Sequence, residues 1–361
     1  MDKPNQQNSM KKKARITSRD IARIAGVSQA TVSLVLNGKY NRMSSEVRER
    51  VLEAVKHTNY VPNTFAKGLK EQRSSIIAAI VENIDGPYYA GMVAGAELEA
   101  EQRGYQILIA KSQQSQEKEQ LQLNRLSSGH VDGLIIMTAS WLRKRVNLKP
   151  LQDCGLPYVF INAYFSEPKI VNDVHGDNFG GVYQATQHLI HTHKHERIAY
   201  LGGYTGDTNW HFHCEQSFLG YKKALLDAGI KPDEGLIYTD NNAISFKAAF
   251  NLTNKLLNSG IKFTALVAIN DIMAAGAMKI LTKAGLRIPE DVAVVGGTNN
   301  PYINYITEPP LTTVDHHLED IGRNAANILI ENIATRSTQT VQRIVNESLI
   351  IRQSCGCNST K

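Results

Sequence analysis

Three groups of residues in this chain have types and spacings that can do chemistry. The first lies between Ser28 and Asn37, where Gln29, Ala30, Ser33, Leu34 and Asn37 fall on one outward helical face while Val32, Val35 and Leu36 face inward. Such groups read base edges: glutamine pairs bidentately with adenine, and alanine and leucine touch thymine methyl groups. The second is a set of polar and aromatic residues that follow apolar strand-like runs, among them Asn83, Tyr88, Asn162, Trp210, Asn270, Asp271 and Thr298. Amides, hydroxyls and rings suit a sugar, whose hydroxyls need polar partners and whose C–H faces need aromatic ones. The third is His188, His191, His193 and His195, with His211 and His213 beyond them, and Cys355-Gly356-Cys357 near the end. A helix end and turn do not aim alternate histidines at one point, as metal ligation requires. They are expected to cap a helix C-terminus, the cysteines to be reduced thiols, and no metal or cofactor is expected. No G-x-x-x-x-G-K-[ST], G-x-S-x-G or H-E-x-x-H occurs, and no nucleophile stands beside a base, so catalysis is not expected.

The elements that must position these residues fall into two pieces of opposite charge. Residues 1–73 carry fifteen Lys/Arg against six Asp/Glu, whereas the remainder carries 25 against 28. A small basic module on a mildly acidic body points to a polyanion partner. At 361 residues, 42% hydrophobic and 20% charged, the chain has material for two or three packed domains. Its longest apolar run, Ile76–Val81, is far short of the ~20 residues of a membrane span. The first residues lack the apolar segment of a secretory signal, and four cysteines make no disulfide scaffold, so a cytoplasmic protein is expected.

Within residues 14–61 three short helices are expected. Thr17 or Ser18, beside Arg19, caps the first, which carries Ile21, Ala22, Ile24 and Ala25. Gly26 makes the turn, Ser28 with Thr31 opens the second, and Asn37-Gly38 ends it. Ser44 or Ser45 opens the third, with Val47, Val51, Leu52 and Val55 inward. This is a helix-turn-helix pattern, whose second helix enters the major groove. After Pro62, Asn63 can cap a helix of two turns over residues 64–70. That is below the ~12–15 residues at which an isolated helix becomes marginal, so it folds only against something else.

The run Asp20-Ile21-Ala22, Ala25-Gly26-Val27-Ser28, Thr31-Val32-Ser33, Leu36-Asn37-Gly38, Asn59-Tyr60-Val61-Pro62-Asn63 and Ala66-x-x-Leu69 closely resembles the lactose/galactose-repressor family of bacterial regulators. The likeness extends to Ile351-Arg352-Gln353-Ser354-Cys355, and residues 28–38 read like the maltose-regulon repressors of that family. The resemblance implies that hinge helices of two subunits pair in the minor groove. Leu69 then matches the leucine that wedges between central base pairs, Ala66 the small residue that admits the backbone, and Asn63 and Lys70 flank them. Leu34 stands where other members often carry arginine or histidine, and the loop 39–43 is one residue longer than in the lactose repressor.

From Ser74 onward apolar strands alternate with amphipathic helices, which predicts parallel sheets wound on both faces. Strands are expected at residues 76–81, 105–110, 133–137, 158–161, 198–201, 236–238, 265–269 and 292–295. Ligands of such sheets bind beyond the carboxyl ends of the strands. The family resemblance implies two lobes like those of periplasmic sugar-binding proteins, with crossovers near 165–173, 300–315 and Gln342. It also places Tyr88, Asn162, Asn270 and Thr298 at effector-contact positions. Ser217 lies where many members carry an arginine, and Thr298 replaces a frequent aspartate.

The expected organisation is a disordered basic tail at 1–13, a helix-turn-helix domain at 14–61, a hinge at 62–73 and an effector-binding and dimerisation domain at 74–361. Its first lobe is expected at 74–165 and 303–341, its second at 166–302 and 342–361. The expected function is a regulator, a repressor in the first instance, that binds a pseudo-palindromic DNA operator under control of a small carbohydrate. Arg143-Lys144-Arg145 also admits a sugar phosphate. With no C-terminal leucine heptad a homodimer is expected. The alternative is a sugar-binding protein or sugar-modifying enzyme with the basic module as a DNA tether.

Overall fold

The structure, a computed structural model, describes residues 16–39, 43–61, 73–84, 86–113, 115–128, 131–137, 149–163, 171–203, 212–240, 245–337 and 339–357. The chain divides into two compact units, Met1–Arg73 and Ser74–Lys361.

The first unit contains α1 (Ser18–Ala25), α2 (Gln29–Leu36) and α3 (Ser45–Thr58). Their core is Ile21, Ala22, Ala25, Val32, Val35, Val51 and Ala54. Ile24 and Leu52, expected inward, lie on the surface. A three-helix bundle this small covers only a narrow stripe of each helix, and Ala54 takes the inner position on α3.

The second unit holds two six-stranded sheets. The first has the order β11-β5-β4-β3-β1-β2, from β1 (Ile76–Val81), β2 (Gln106–Lys111), β3 (Gly133–Met137), β4 (Tyr158–Ile161), β5 (Asp173–Gly176) and β11 (Gln342–Val345). All its pairings are parallel. The second has the order β12-β10-β9-β8-β6-β7, from β6 (Ile198–Gly203), β7 (Ile237–Asp240), β8 (Ala265–Ala268), β9 (Ala293–Gly297), β10 (Thr312–Asp315) and β12 (Ser348–Ile350). Here β12 runs antiparallel to β10.

Helices cover both faces of each sheet, which is why the central strands are apolar throughout. In β1, Ile77, Ala79 and Val81 join the core beneath α4 (Pro87–Gln102) and α12 (Leu318–Thr335). Ala78 and Ile80 join the opposite core with α5 (Gln116–Leu126) and α6 (Lys149–Cys154). The second sheet is flanked by α7 (Asn178–His191), α8 (Phe212–Asp227), α9 (Phe246–Asn258) and α10 (Asp271–Lys283), and the short α11 (Pro301–Ile306) precedes β10. In the first lobe α4 and α12 approach backbone to backbone. A Cβ at Gly95 would lie 1.9 Å from the Glu319 carbonyl oxygen, and one at Gly322 1.8 Å from that of Met92.

The lobe boundaries lie elsewhere than the sequence suggested. The chain leaves the first sheet after β5, returns after β10, and crosses again between β11 and β12. Residues 171–176 therefore belong to the first lobe and residues 303–315 to the second. The strands that decide this, Asp-Val-His-Gly and Thr-Thr-Val-Asp, are four residues long with two and three polar residues, so they carry no apolar run to reveal them.

Candidate functional site

In the first unit Thr17 caps α1 in a reciprocal box. Its hydroxyl donates to Asp20 at 2.7 Å, its backbone N–H donates to the same carboxylate at 3.0 Å, and the Asp20 N–H returns to Thr17 at 3.4 Å. Gly26 ends α1 in the left-handed conformation at φ +66°. Ser28 caps α2 by accepting from the Thr31 N–H at 3.1 Å, and the two hydroxyls lie 2.9 Å apart. These caps fix the angle at which α2 leaves the turn.

Along α2, Gln29, Ala30, Ser33, Leu34 and Asn37 are exposed, and Leu34 keeps 43% of its surface in solvent. Gln29 donates from Nε2 to the Ser18 hydroxyl at 2.6 Å, which aims its amide and leaves a second N–H and the carbonyl for an adenine edge. Asn37 spends its amide on the Ser33 carbonyl at 2.7 Å. Arg19 is exposed on α1. Asn63, Ala66, Leu69, Lys70, Trp210 and residues 143–145 lie outside the described residues.

The second candidate site lies at the carboxyl ends of both sheets. Asn162 follows β4 with φ +56°; its Nδ2 donates to the Tyr88 hydroxyl at 2.6 Å, and its Oδ1 accepts from the Gly176 N–H at 3.3 Å. Burial, then the nearby Glu347, raises the Tyr88 phenol well above its usual range, so it stays a neutral O–H with a proton to offer. The Tyr88 ring, on the first lobe, stacks on His213 of α8 in the second at 5.6 Å between centroids and 28° between planes. The two lobes therefore meet at an aromatic pair. Asn83 is exposed at the rim.

On the second lobe, Asn270 caps α10 by accepting from the Met273 N–H at 2.8 Å. Asp271 is fully buried: one oxygen accepts from the Thr313 hydroxyl and the other from the Asn300 N–H at 2.5 Å. Burial pushes its pKa up to about 7, against the pull of Thr313, Asn300, Arg352 and Thr298. Its carboxylate thus ties the β9 loop to β10 and does not face solvent. Ser217 is buried within α8. Thr298 takes φ +93° and leads to Asn299, which accepts from Arg352 Nη2 at 2.8 Å.

Three residues not singled out in the sequence join this region. His316 and Glu347, on two interlobe crossovers, are buried with Nε2 and Oε2 3.6 Å apart, and the His316 ring stands edge-on to Tyr88 at 6.4 Å. Asn178 donates to Glu347 Oε1. Burial lowers His316 to about 4, so its ring is neutral near pH 7, and burial raises Glu347 well above the usual carboxylate range. The other Glu347 oxygen and both His316 ring nitrogens find no hydrogen-bond partner among the described residues. Nothing local marks them, since each is set by a crossover between lobes. The structure also gathers His188, His193, Cys355 and Cys357, with ligating atoms all within 4.8 Å of one another. That differs from the expected arrangement: the local turn does not converge alternate histidines, but the distant Cys-Gly-Cys closes on two of them.

Among known proteins, residues 17–63 match the family described as bacterial regulatory proteins, lacI family, and residues 186–355 match the periplasmic binding protein-like domain. The chain is 34% identical over 352 residues to the HTH-type transcriptional regulator CelR of Thermobifida fusca, covering 96% of this chain and all of that one. It is 32% identical over 342 residues to the repressor PurR of Haemophilus influenzae (strain PittEE), covering 94% and 98%. Among solved structures, a CelR–cellobiose complex matches with a TM-score of 0.70 at 32% identity, covering 94% of this chain and 100% of that one. The lac repressor dimer bound to operator and the anti-inducer ONPF matches at 0.81 and 26%, covering 94% and 99%.

Proposed function

The chain belongs to the lacI family of bacterial regulatory proteins and is a DNA-binding transcriptional regulator, and from that premise we propose that it is a repressor whose effector is a neutral carbohydrate held between the two lobes. The observation that carries this reading is the Asn162–Tyr88 pair facing His213 across the cleft. Its amide and phenol are fixed and its rings offer a face to C–H groups, a neutral polar and aromatic set that suits a neutral sugar. The cellobiose bound by CelR supports an oligosaccharide of that class. Tyr88, Asn162, Asn83 and Thr298 are the proposed contacts, with His213 added. Asn270 and Asp271 hold the loops in place.

On the DNA, Gln29, Ala30, Ser33 and Leu34 read the major groove, Ser28, Thr31, Thr17 and Ser18 present α2, and Arg19 and Lys70 contact phosphates. Two subunits bind a pseudo-palindromic operator in the cytoplasm, with Leu69 opening its centre. No helix among the described residues is long and apolar enough to cross a membrane.

A thermal-shift screen of neutral disaccharides and sugar phosphates tests the effector class. A ligand at 100 times its Kd adds about 2.7 kcal/mol of stability, easily seen as a shift. Stabilisation by sugar phosphates alone would overturn the neutral-sugar reading. Equal binding to operator and random duplex at moderate salt would overturn the specific repressor.

A further inference from the structure

We propose that His188, His193, Cys355 and Cys357 form a closed tetrahedral site for a divalent zinc ion, which clips the C-terminal tail to the second lobe. His188 Nε2 lies 3.4 Å from Cys355 Sγ and 3.7 Å from Cys357 Sγ, and His193 Nε2 lies 3.3 Å from Cys357 Sγ. A tetrahedron with zinc–sulfur bonds of about 2.3 Å and zinc–nitrogen bonds of about 2.0–2.1 Å has sulfur–nitrogen edges of about 3.6 Å. These three sulfur–nitrogen separations therefore already lie close to the edges of a zinc tetrahedron.

Hydrogen bonding alone does not account for the convergence. An imidazole Nε2 carries either one proton or one lone pair, so His188 can satisfy only one of the two sulfurs beside it. A metal at the common centre satisfies all four donors at once. The donor set selects the ion: two thiolates and two imidazoles in tetrahedral array favour zinc over the harder divalent cations. With four protein ligands no position remains for a substrate, so the site is structural.

The backbone is built for it. Gly356, between the cysteines, takes φ +101°, and a Cβ there would lie 3.2 Å from His193 Nδ1. Only glycine lets the turn close on the ring and bring both sulfurs to one side. His188 is on α7 near its end and His193 just beyond it, at the opposite end of that 14-residue helix from the crossovers beside Glu347. At about 1.5 Å per residue the helix separates the cluster from the cleft by roughly 20 Å. The tail it holds is one the second lobe uses. The Ser354 hydroxyl donates to the Val294 carbonyl at 2.6 Å and accepts from the Thr312 N–H at 2.8 Å. Arg352 reaches Asn299, Asn304 and the Leu311 carbonyl.

The test uses the full, untagged chain, purified under reducing conditions from zinc-supplemented cells, with metal counted by mass spectrometry. About one zinc per chain is expected, since a preformed closed site binds tightly. Cobalt added after chelation should give the intense visible bands of a tetrahedral centre with a sulfur-to-metal charge-transfer band. Cys357→Ser and His193→Asn should each lower zinc content at least tenfold, and Cys154→Ser, away from the cluster, should leave it unchanged. Circular dichroism on each variant separates loss of metal from loss of fold; zinc lost from a folded Cys357→Ser chain supports the site. Background zinc with no cobalt spectrum in the wild type would overturn the proposal. So would undiminished zinc in both ligand variants, or a metal-free Cys355–Cys357 disulfide in freshly purified protein.

Discussion

Tyr88 accepts a hydrogen bond from Asn162 and keeps its own proton, so removing the phenol oxygen takes away an acceptor and a donor together. Tyr88→Phe retains the ring and its stacking on His213. It is expected to weaken carbohydrate affinity about tenfold, the value of one buried hydrogen bond, with operator affinity of the ligand-free protein unchanged. Calorimetric titration measures the first and a duplex titration the second; equal losses would mean that Tyr88 holds the fold and not the ligand. Asp271 makes a different prediction. Burial raises its folded pKa from 3.8 to about 7. Between those values the unfolded chain releases a proton that the folded chain keeps, so the stabilisation is whole below about pH 4 and lost as pH rises towards about 7. Asp271→Asn, which can still bond Thr313 and Asn300, should flatten that slope. Urea unfolding at about pH 5 and about pH 8 reads it: the wild type should lose more stability between the two than the variant.

At the scale of the element, the first two helices stand on their caps. Ser28→Ala removes the side-chain acceptor of the Thr31 N–H, and Thr17→Ala breaks the reciprocal box with Asp20, each worth about 1 kcal/mol. Amide exchange along α1 and α2 in the full chain should then speed about fivefold. Unchanged exchange would show that tertiary packing alone holds the turn. These caps were legible because capping is local: Thr17, Gly26 and Ser28 announce themselves by type and position. The β1, β3 and β4 strands were legible for a related reason, since a strand buried on both faces is an unbroken apolar run. What sequence did not disclose is what depends on distant pairing. β5 and β10 are polar and four residues long, and only neighbours on both sides make them strands. Glu347 and His316 become a buried pair because two crossovers pass side by side. The histidines at the end of α7 look like helix capping until the tail, more than 160 residues later, supplies two sulfurs. At the cleft, the loops that carry Tyr88 and Asn162 could be named from their place after strands and the resemblance singled out the two residues, but it did not reveal that Asp271 faces inward.

For the whole molecule, operator affinity has two separable parts, and the variants that divide them differ in charge. Lysine and arginine contacts release counterions from the duplex, so they set the slope of affinity against salt. An apolar wedge releases none, and adds affinity by holding open a bent duplex. Leu69→Ala changes no charge. It should lower operator affinity by about the same factor, tenfold or more, at every salt concentration, and leave the slope as it was. Lys70→Ala should instead reduce the slope by about one while costing less affinity at high salt. The effector adds a second axis. Its leverage on DNA is a coupling energy, about 1–3 kcal/mol in ordinary cases, and it must act through an element whose folding is marginal. The hinge proposed from the sequence of residues 62–73, with Gly68 inside it, is our candidate for that element, because a two-turn segment falls short of the length at which a helix holds itself. If the wedge belongs to it, Leu69→Ala should also compress the difference in operator affinity between carbohydrate-bound and free protein, while carbohydrate affinity stays the same. Anisotropy titrations at three salt concentrations, with and without ligand, give all three quantities from one protein preparation. A full effector response in Leu69→Ala, at reduced affinity, would place the switch elsewhere in the chain.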